Sequence, residues 1–327
     1  MTTSPGTTRP DSAAASTRVV TVLGATRNFF KVGHYTLRRL AVAAPDLTLR
    51  LAIPEAQAAG RAVRDVDVQL RDWDLADPRS LVAALAGTDT MLMVPPIDRR
   101  VEIGGLYLRA AQRAGVRQIV CLGIQFAPGQ CAMADEAATL ESLLVASGIA
   151  FDLVRLPMFL ENLLYQCQSI AQNGTFTFPI GADVPFSYIT CDDAAELFCR
   201  KILDPGSVDL SGALMSHAAQ ATCGQWAEAL SDVCGRQVTF ARQSAEHFIT
   251  SLARYGMRPE AAAQVLGLWE RIGTYGDASA TRTAETLLGR PTTDLTTWTT
   301  ERACCFGTGF LSCPHPHPPV QHMFGPA

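Results

Sequence analysis

Val22-Leu23-Gly24-Ala25-Thr26-Arg27-Asn28-Phe29-Phe30-Lys31-Val32-Gly33 follows a run of β-branched and aliphatic residues and leads into Leu37, Leu40 and Ala44 at helical spacing. A strand, a glycine turn and a helix in that order present helix-end N–H groups and positive potential to an anion such as a pyrophosphate. Such loops usually carry three glycines, for the tight turn, the approach of backbone to phosphate and the packing of the helix. Here Gly24 serves the turn and Gly33 opens the helix, but the middle glycine is missing and the outer two stand several residues too far apart. The reading is a dinucleotide-binding half whose phosphate loop is altered.

Outward from this stretch, short apolar runs alternate with amphipathic segments, the signature of βαβ units and a parallel sheet. Strands are expected at 18–23, 47–53 (stopped by Pro54), 66–70, 90–94 (ended by Pro95-Pro96), 118–122 and 151–155. Between them fall a helix from about Gly33, an alanine-rich one after Pro54, and one from Asp77-Pro78 to Gly87. Two more cover 101–114, stopped by Gly115, and 132–147, capped by Gly148. The fold class is therefore α/β, a doubly wound parallel sheet of Rossmann type over 18–156. Beyond Pro157 helical stretches such as 223–233 and 259–272 dominate, giving a smaller, mostly helical C-terminal lobe over 157–302. A strand-like 186–190, with Asp193 as the following helix N-cap, is expected to return to the main domain. Residues 1–17 read as a disordered leader and 303–327 as a disordered tail.

Lys plus Arg total 27 against 31 for Asp plus Glu, so no basic surface for nucleic acid is expected. No apolar run is long enough for a transmembrane helix and no signal-peptide core precedes the first strand, so a cytoplasmic, membrane-free protein is the expectation. The ten cysteines include no C-x-x-C pair, and Cys121, Cys191 and Cys199 lie in apolar segments, which reads as buried free thiols. His315, His317 and His322 with Cys313 lack fixed ligand spacing, so no metal site is predicted. No feature specifies an oligomeric state.

Gly24-Ala25-Thr26, Asp72-Trp73-Asp74-Leu75, Val94-Pro95-Pro96, Val154-Arg155-Leu156-Pro157 with Phe159-Leu160-Glu161-Asn162, and Leu288-Gly289-Arg290-Pro291 together resemble NmrA-like proteins, atypical relatives of short-chain dehydrogenase/reductases. The resemblance spans roughly residues 18–302. It implies an NAD(P)H-dependent reductase of a small, flat, apolar or aromatic ketone or quinone, with NADPH or NADH as cofactor and natural-product tailoring among the family's roles. It maps cofactor contacts onto Gly24, Thr26, Arg27, Asn28 and Gly33 in the loop, Asp74 on the adenine side, and Val94 and Pro95 beside the cofactor. The basic residue that selects a 2′-phosphate falls near Pro54 and is absent, with Glu55 beside it. Arg27 either reaches the phosphates in compensation or is solvated.

Short-chain dehydrogenases place a Ser after the fifth strand and Tyr-x-x-x-Lys on the next helix. This chain has Leu122-Gly123-Ile124 and a helix without Tyr or Lys, with Ala137 where many NmrA-like members carry His. Catalytic candidates are therefore Tyr165 and Asn162, which the resemblance puts near the cofactor's reactive end, and Tyr188; each has local packing as its alternative. Asp193 reads as a cap, Glu141 as a surface residue and His34 as an exposed helix-start residue. Two other readings stay open: a cofactor-independent cyclase or isomerase using the vacated nucleotide cleft, and an NAD(P)-sensing regulator.

Overall fold

The computed structural model describes residues 17–24, 32–54, 66–205, 220–254, 256–277, 281–307 and 313. The helix expected after Pro54, the leader up to residue 16 and most of the tail lie outside the described residues, as do Thr26, Arg27 and Asn28.

Six parallel strands, β1 (Val19–Leu23), β2 (Thr48–Ile53), β3 (Gln69–Asp72), β4 (Thr90–Met93), β5 (Gln118–Ile124) and β6 (Ala150–Leu156), form one sheet in the order β3-β2-β1-β4-β5-β6. Alternation of side chains divides the sheet's apolar residues between two helical layers. Val20, Val22, Leu51, Leu92, Val120 and Val154 pack under α1 (Val32–Ala43) and a later helix that supplies Leu197, Phe198 and Ile202. Leu23, Met91, Met93, Ile119, Cys121 and Leu153 pack under α2 (Pro78–Leu85), α3 (Arg100–Ala114) and α4 (Ala132–Ala146). Helices on both faces make the sheet doubly wound, as the sequence predicts. The third strand sits slightly later than its apolar run because pairing with β2, from Arg50 with Gln69 to Ile53 with Asp72, sets its register at an exposed edge.

After β6 the chain forms β7 (Met158–Phe159), a 3₁₀ segment over Leu160–Gln166, α5 (Cys167–Asn173), β8 (Thr175–Phe178), β9 (Tyr188–Ile189) and α6 (Cys191–Leu203). Then come α7 (Cys223–Cys234), β10 (Thr239–Arg242), α8 (Ala245–Arg254), α9 (Pro259–Tyr275), α10 (Thr283–Leu288), α11 (Leu295–Glu301) and α12 (Ala303–Phe306). The lobe core is aromatic, with Phe176, Phe178, Phe186, Trp226, Trp269, Trp298 and Phe306 buried together. The strand expected at 186–190 does not join the main sheet: Tyr188–Ile189 pairs with Met158–Phe159, and Phe186 bridges Ala221. It is α6 that returns, packing beside α1 on the sheet. The boundary placed at residue 302 also falls within structure, since Ala303–Phe306 is helical with Cys305 and Phe306 fully buried. Four residues are too few to show a period, so the burial had no sequence signature.

Candidate active site

In an open parallel sheet the ligand crevice lies outside the carboxyl ends of the strands, where the order reverses. Here that point separates β1 from β4. Gly24 leaves β1 with φ of +88°, a conformation that L side chains rarely adopt, and a Cβ at this position would lie 2.0 Å from the carbonyl oxygen of Val94. The Val94 N–H donates to the carbonyl of Leu23 at 2.9 Å, so the turn after β1 and the extension of β4 meet through backbone. Val94 and Pro95 are buried beside it. Gly33 lies in the buried first turn of α1. His34, expected to be exposed, is also buried there, because the helix start is packed onto the sheet's rim.

Asp74 stands just past the end of β3, on the same rim. Its carboxylate accepts from the Ala76 N–H at 2.9 Å and its own N–H donates to Ser80 Oγ at 2.8 Å, which holds the turn into α2. Trp73, packed edge-on against Tyr107, anchors that turn from below.

Past the end of β5, on the other side of the crevice, three distant segments meet. Gln125 Nε2 donates to Asp277 Oδ1, and Asp277 Oδ2 accepts from the Ser187 N–H. The buried Gln125 Oε1 has no hydrogen-bond partner among the described residues. Next to it Phe126 and Tyr275 flank the Arg271 guanidinium, each ring centre 5.4 Å from it. Arg100 opens α3 on the same rim and is only 3% exposed; its Nε has no hydrogen-bond partner among the described residues, and burial lowers its pKa. Neither Gln125 with Asp277 nor Arg100 was found by sequence reasoning. Residues 152 apart carry no mutual signal, and a basic residue at a helix start ordinarily reads as solvated.

Of the catalytic candidates, Asn162 and Tyr165 are half-buried in the 3₁₀ segment after Pro157, with Tyr165 packed against the lobe core. Tyr188 is buried; its pKa is pushed up to about 12 by desolvation, and its oxygen accepts from the Leu295 N–H. The inward face of α4 carries Met133, Ala134, Ala137 and Leu140, so neither Tyr nor Lys stands on that face. Glu141, expected at the surface, is half-buried and pairs with Arg155 at 2.7 Å, whose stem lies where a Cβ on Gly123 would press at 3.1 Å.

Two of the segments that carry the sequence resemblance build a seam between sheet and lobe. Buried Glu161 accepts from the Cys191 N–H at 2.8 Å and from Trp298 Nε1 at 3.2 Å, and faces Arg302, which stacks over Trp298 and donates to Tyr35. Arg290 reaches Asp193 at 2.8 Å and Glu196 at 2.7 Å on α6. Asp193 is not the N-cap: Thr190 caps α6 through the Asp193 N–H, and the fully buried Asp193 carboxylate accepts from Thr190 Oγ1 and from the Thr293 N–H. A carboxylate two positions inside the helix thus holds the 290–293 segment, a long-range use that local capping patterns do not reveal.

With this geometry in place, the profile of the NmrA-like family matches residues 16–296. Quinone oxidoreductase 2 of Escherichia coli (strain K12) is 27% identical over 284 residues, 85% of this chain and 96% of its own length. NAD(P)H azoreductase of Xenophilus azovorans is 29% identical over 255 residues, 76% and 88% respectively. The structure of an NADPH-dependent quinone oxidoreductase from Escherichia coli complexed with NADPH superposes with a TM-score of 0.71 at 24% identity, covering 87% of this chain and 99% of that one. At that identity the superposition speaks for the fold.

Proposed function

The chain belongs to the NmrA-like family, and from that premise we propose that it is an NAD(P)H-dependent reductase of a flat, apolar quinone or ketone. One observation carries the reading: at the switch point of the sheet, Gly24 and Val94 meet with no room for a side chain between them. A backbone turn stripped in this way lets main-chain N–H groups approach a pyrophosphate. When bound, a reduced nicotinamide supplies the hydride.

The chain's own residues supply position and polarity. Gly24, Gly33, Asp74, Val94 and Pro95 frame the nucleotide half of the crevice, and Thr26, Arg27 and Asn28 belong to the loop between them. In the other half, Asp277 fixes Gln125 through its Nε2 and so orders the turn after β5. Asn162 and Tyr165 line the substrate side, and the Tyr275 ring, stacked with Phe126 about the Arg271 guanidinium, gives a planar substrate an aromatic and cationic edge to lie against. Tyr188, buried in the same lobe core as Phe126, belongs to that half as well. The quinone and azo substrates in the names of the relatives support a planar, electron-poor substrate. A natural-product intermediate is one source of such a compound.

Calorimetric titration with NADH and with NADPH, repeated on Arg27→Ala, tests the cofactor half; the ratio of the two affinities reports which nucleotide is preferred. Saturable binding with loss of affinity in the variant is expected. Absence of any binding or thermal shift with both nucleotides overturns the reading. A cofactor-independent cyclase or isomerase in the same crevice is favoured by the apolar face of α4, which lacks the Tyr and Lys of a dehydrogenase. Turnover that persists after nicotinamide is removed would select it.

A further inference from the structure

Half of the chain's cysteines gather in one corner of the lobe. Cys304 and Cys305 lie on α12, Cys313 returns onto them, and Cys167 and Cys234 stand at the neighbouring ends of α5 and α7. Cys313 Sγ lies 2.6 Å from Cys304 Sγ and 3.2 Å from Cys305 Sγ, and the three sulfurs all fall within 4.8 Å of one another. Cys234 Sγ donates to the Phe306 carbonyl at 3.6 Å, and Arg236 donates to the carbonyls of Ile170 and Ala171. The corner is therefore walled by backbone and one guanidinium.

We propose that Cys304, Cys305 and Cys313 form a binding site for a single soft d¹⁰ cation, Zn²⁺ or Cu⁺, that pins the C-terminal segment to the lobe. Metal–thiolate bonds of about 2.3 Å put coordinating sulfurs roughly 4 Å apart, a separation reached by a small displacement of Cys313. Three thiolates and no oxygen ligand select soft ions over Mg²⁺ or Ca²⁺. Cys305 is buried, Cys313 half-buried and Cys304 exposed, so the site has one protected side and one open side through which an ion enters. That open side leaves room for a water as fourth ligand to Zn²⁺, while Cu⁺ is satisfied by three sulfurs. Cys167 on α5 adds a further thiol in the same corner. Thiolates, not thiols, ligate the ion, so it must displace their protons and its affinity falls as pH drops.

The full chain, reduced and stripped of metal, is titrated with Zn²⁺ and separately with Cu⁺ against a chromophoric chelator, and Co²⁺ is used to look for thiolate charge-transfer absorption. One equivalent of ion is expected, with affinity lost at least about tenfold in Cys304→Ser and Cys313→Ser and retained in Cys131→Ser. Far-ultraviolet circular dichroism confirms that the variants are folded. Three outcomes overturn the proposal: neither ion binds at one equivalent, both serine variants bind as the parent does, or peptide mapping after rapid alkylation finds a Cys304–Cys313 disulfide in place of free thiols and metal.

Discussion

At the switch point of the sheet Gly24 and Val94 meet through backbone alone, whereas along the seam Glu161, Asp193, Arg290 and Arg302 meet as buried or half-buried charges. Both places carry segments by which the sequence resembles its family, yet they tolerate different insults. The rim is defined by atoms that are missing, so adding one is the injury. The seam is defined by charges that neutralise one another, so removing one is the injury.

The largest effect is therefore expected from Gly24→Ala. The added Cβ meets main-chain oxygen, which cannot rotate away, at a backbone conformation disfavoured for alanine. A loss of about 3–5 kcal/mol in urea unfolding, together with loss of nucleotide binding, is expected; an unchanged midpoint would mean the rim is not packed as described. Asp193→Ala comes next. It leaves the Thr293 N–H and the Thr190 hydroxyl without their acceptor and Arg290 with Glu196 alone, and should cost about 3 kcal/mol, but nucleotide affinity measured on the folded variant should stay within about twofold. If affinity falls as stability does, rim and seam are not separable.

A smaller, graded effect is expected in alkali. Burial pushes the Cys121, Cys199 and Cys223 thiols from 9.0, and the Tyr188 phenol from 10.0, up to about 12. Between those values the unfolded chain releases protons that the folded chain retains, so stability falls as pH rises from about 9 toward 12. Urea midpoints at pH 7, 8.5 and 10 should be nearly flat across the first pair and lower at the last. The smallest effect belongs to Asp74→Asn. The amide oxygen keeps the contact to the Ala76 N–H, so stability should change by less than about 0.5 kcal/mol, while calorimetry should show weaker nucleotide binding if the adenine half lies over β3.

The sheet was legible in the sequence because strands buried on both faces read as continuous apolar runs punctuated by Gly and Pro, and five of the six begin and end within two residues of where those runs do. The lobe was less legible. Its pairings join segments distant in sequence, as in β8 with β10, where Thr175 faces Thr239. Its anchors are polar residues whose local context suggested other roles: Asp193 looked like a cap, and Glu161 carried no signal beyond its place in a resembling segment. His34 and Arg100 failed for a shared reason, since helix starts are ordinarily solvated and these are closed over by neighbouring elements. In the crevice, the turn at Gly24 was readable because turn geometry is local, Val94 and Asp74 entered only through the family resemblance, and Gln125 with Asp277 carried no signal at all.

The return of α6 to the sheet has a consequence for how the chain comes off the ribosome. Leu197, Phe198 and Ile202 cover the face formed by Val20, Val22, Leu92 and Val120, so that half is unfinished when β6 has emerged. A nascent chain ending near residue 156 has one sheet face covered by α2, α3 and α4 and, on the other, α1 beside a bare apolar stripe. The nucleotide-binding half is thus contiguous in sequence but not autonomous in synthesis, and the lobe must begin to form before its neighbour can close.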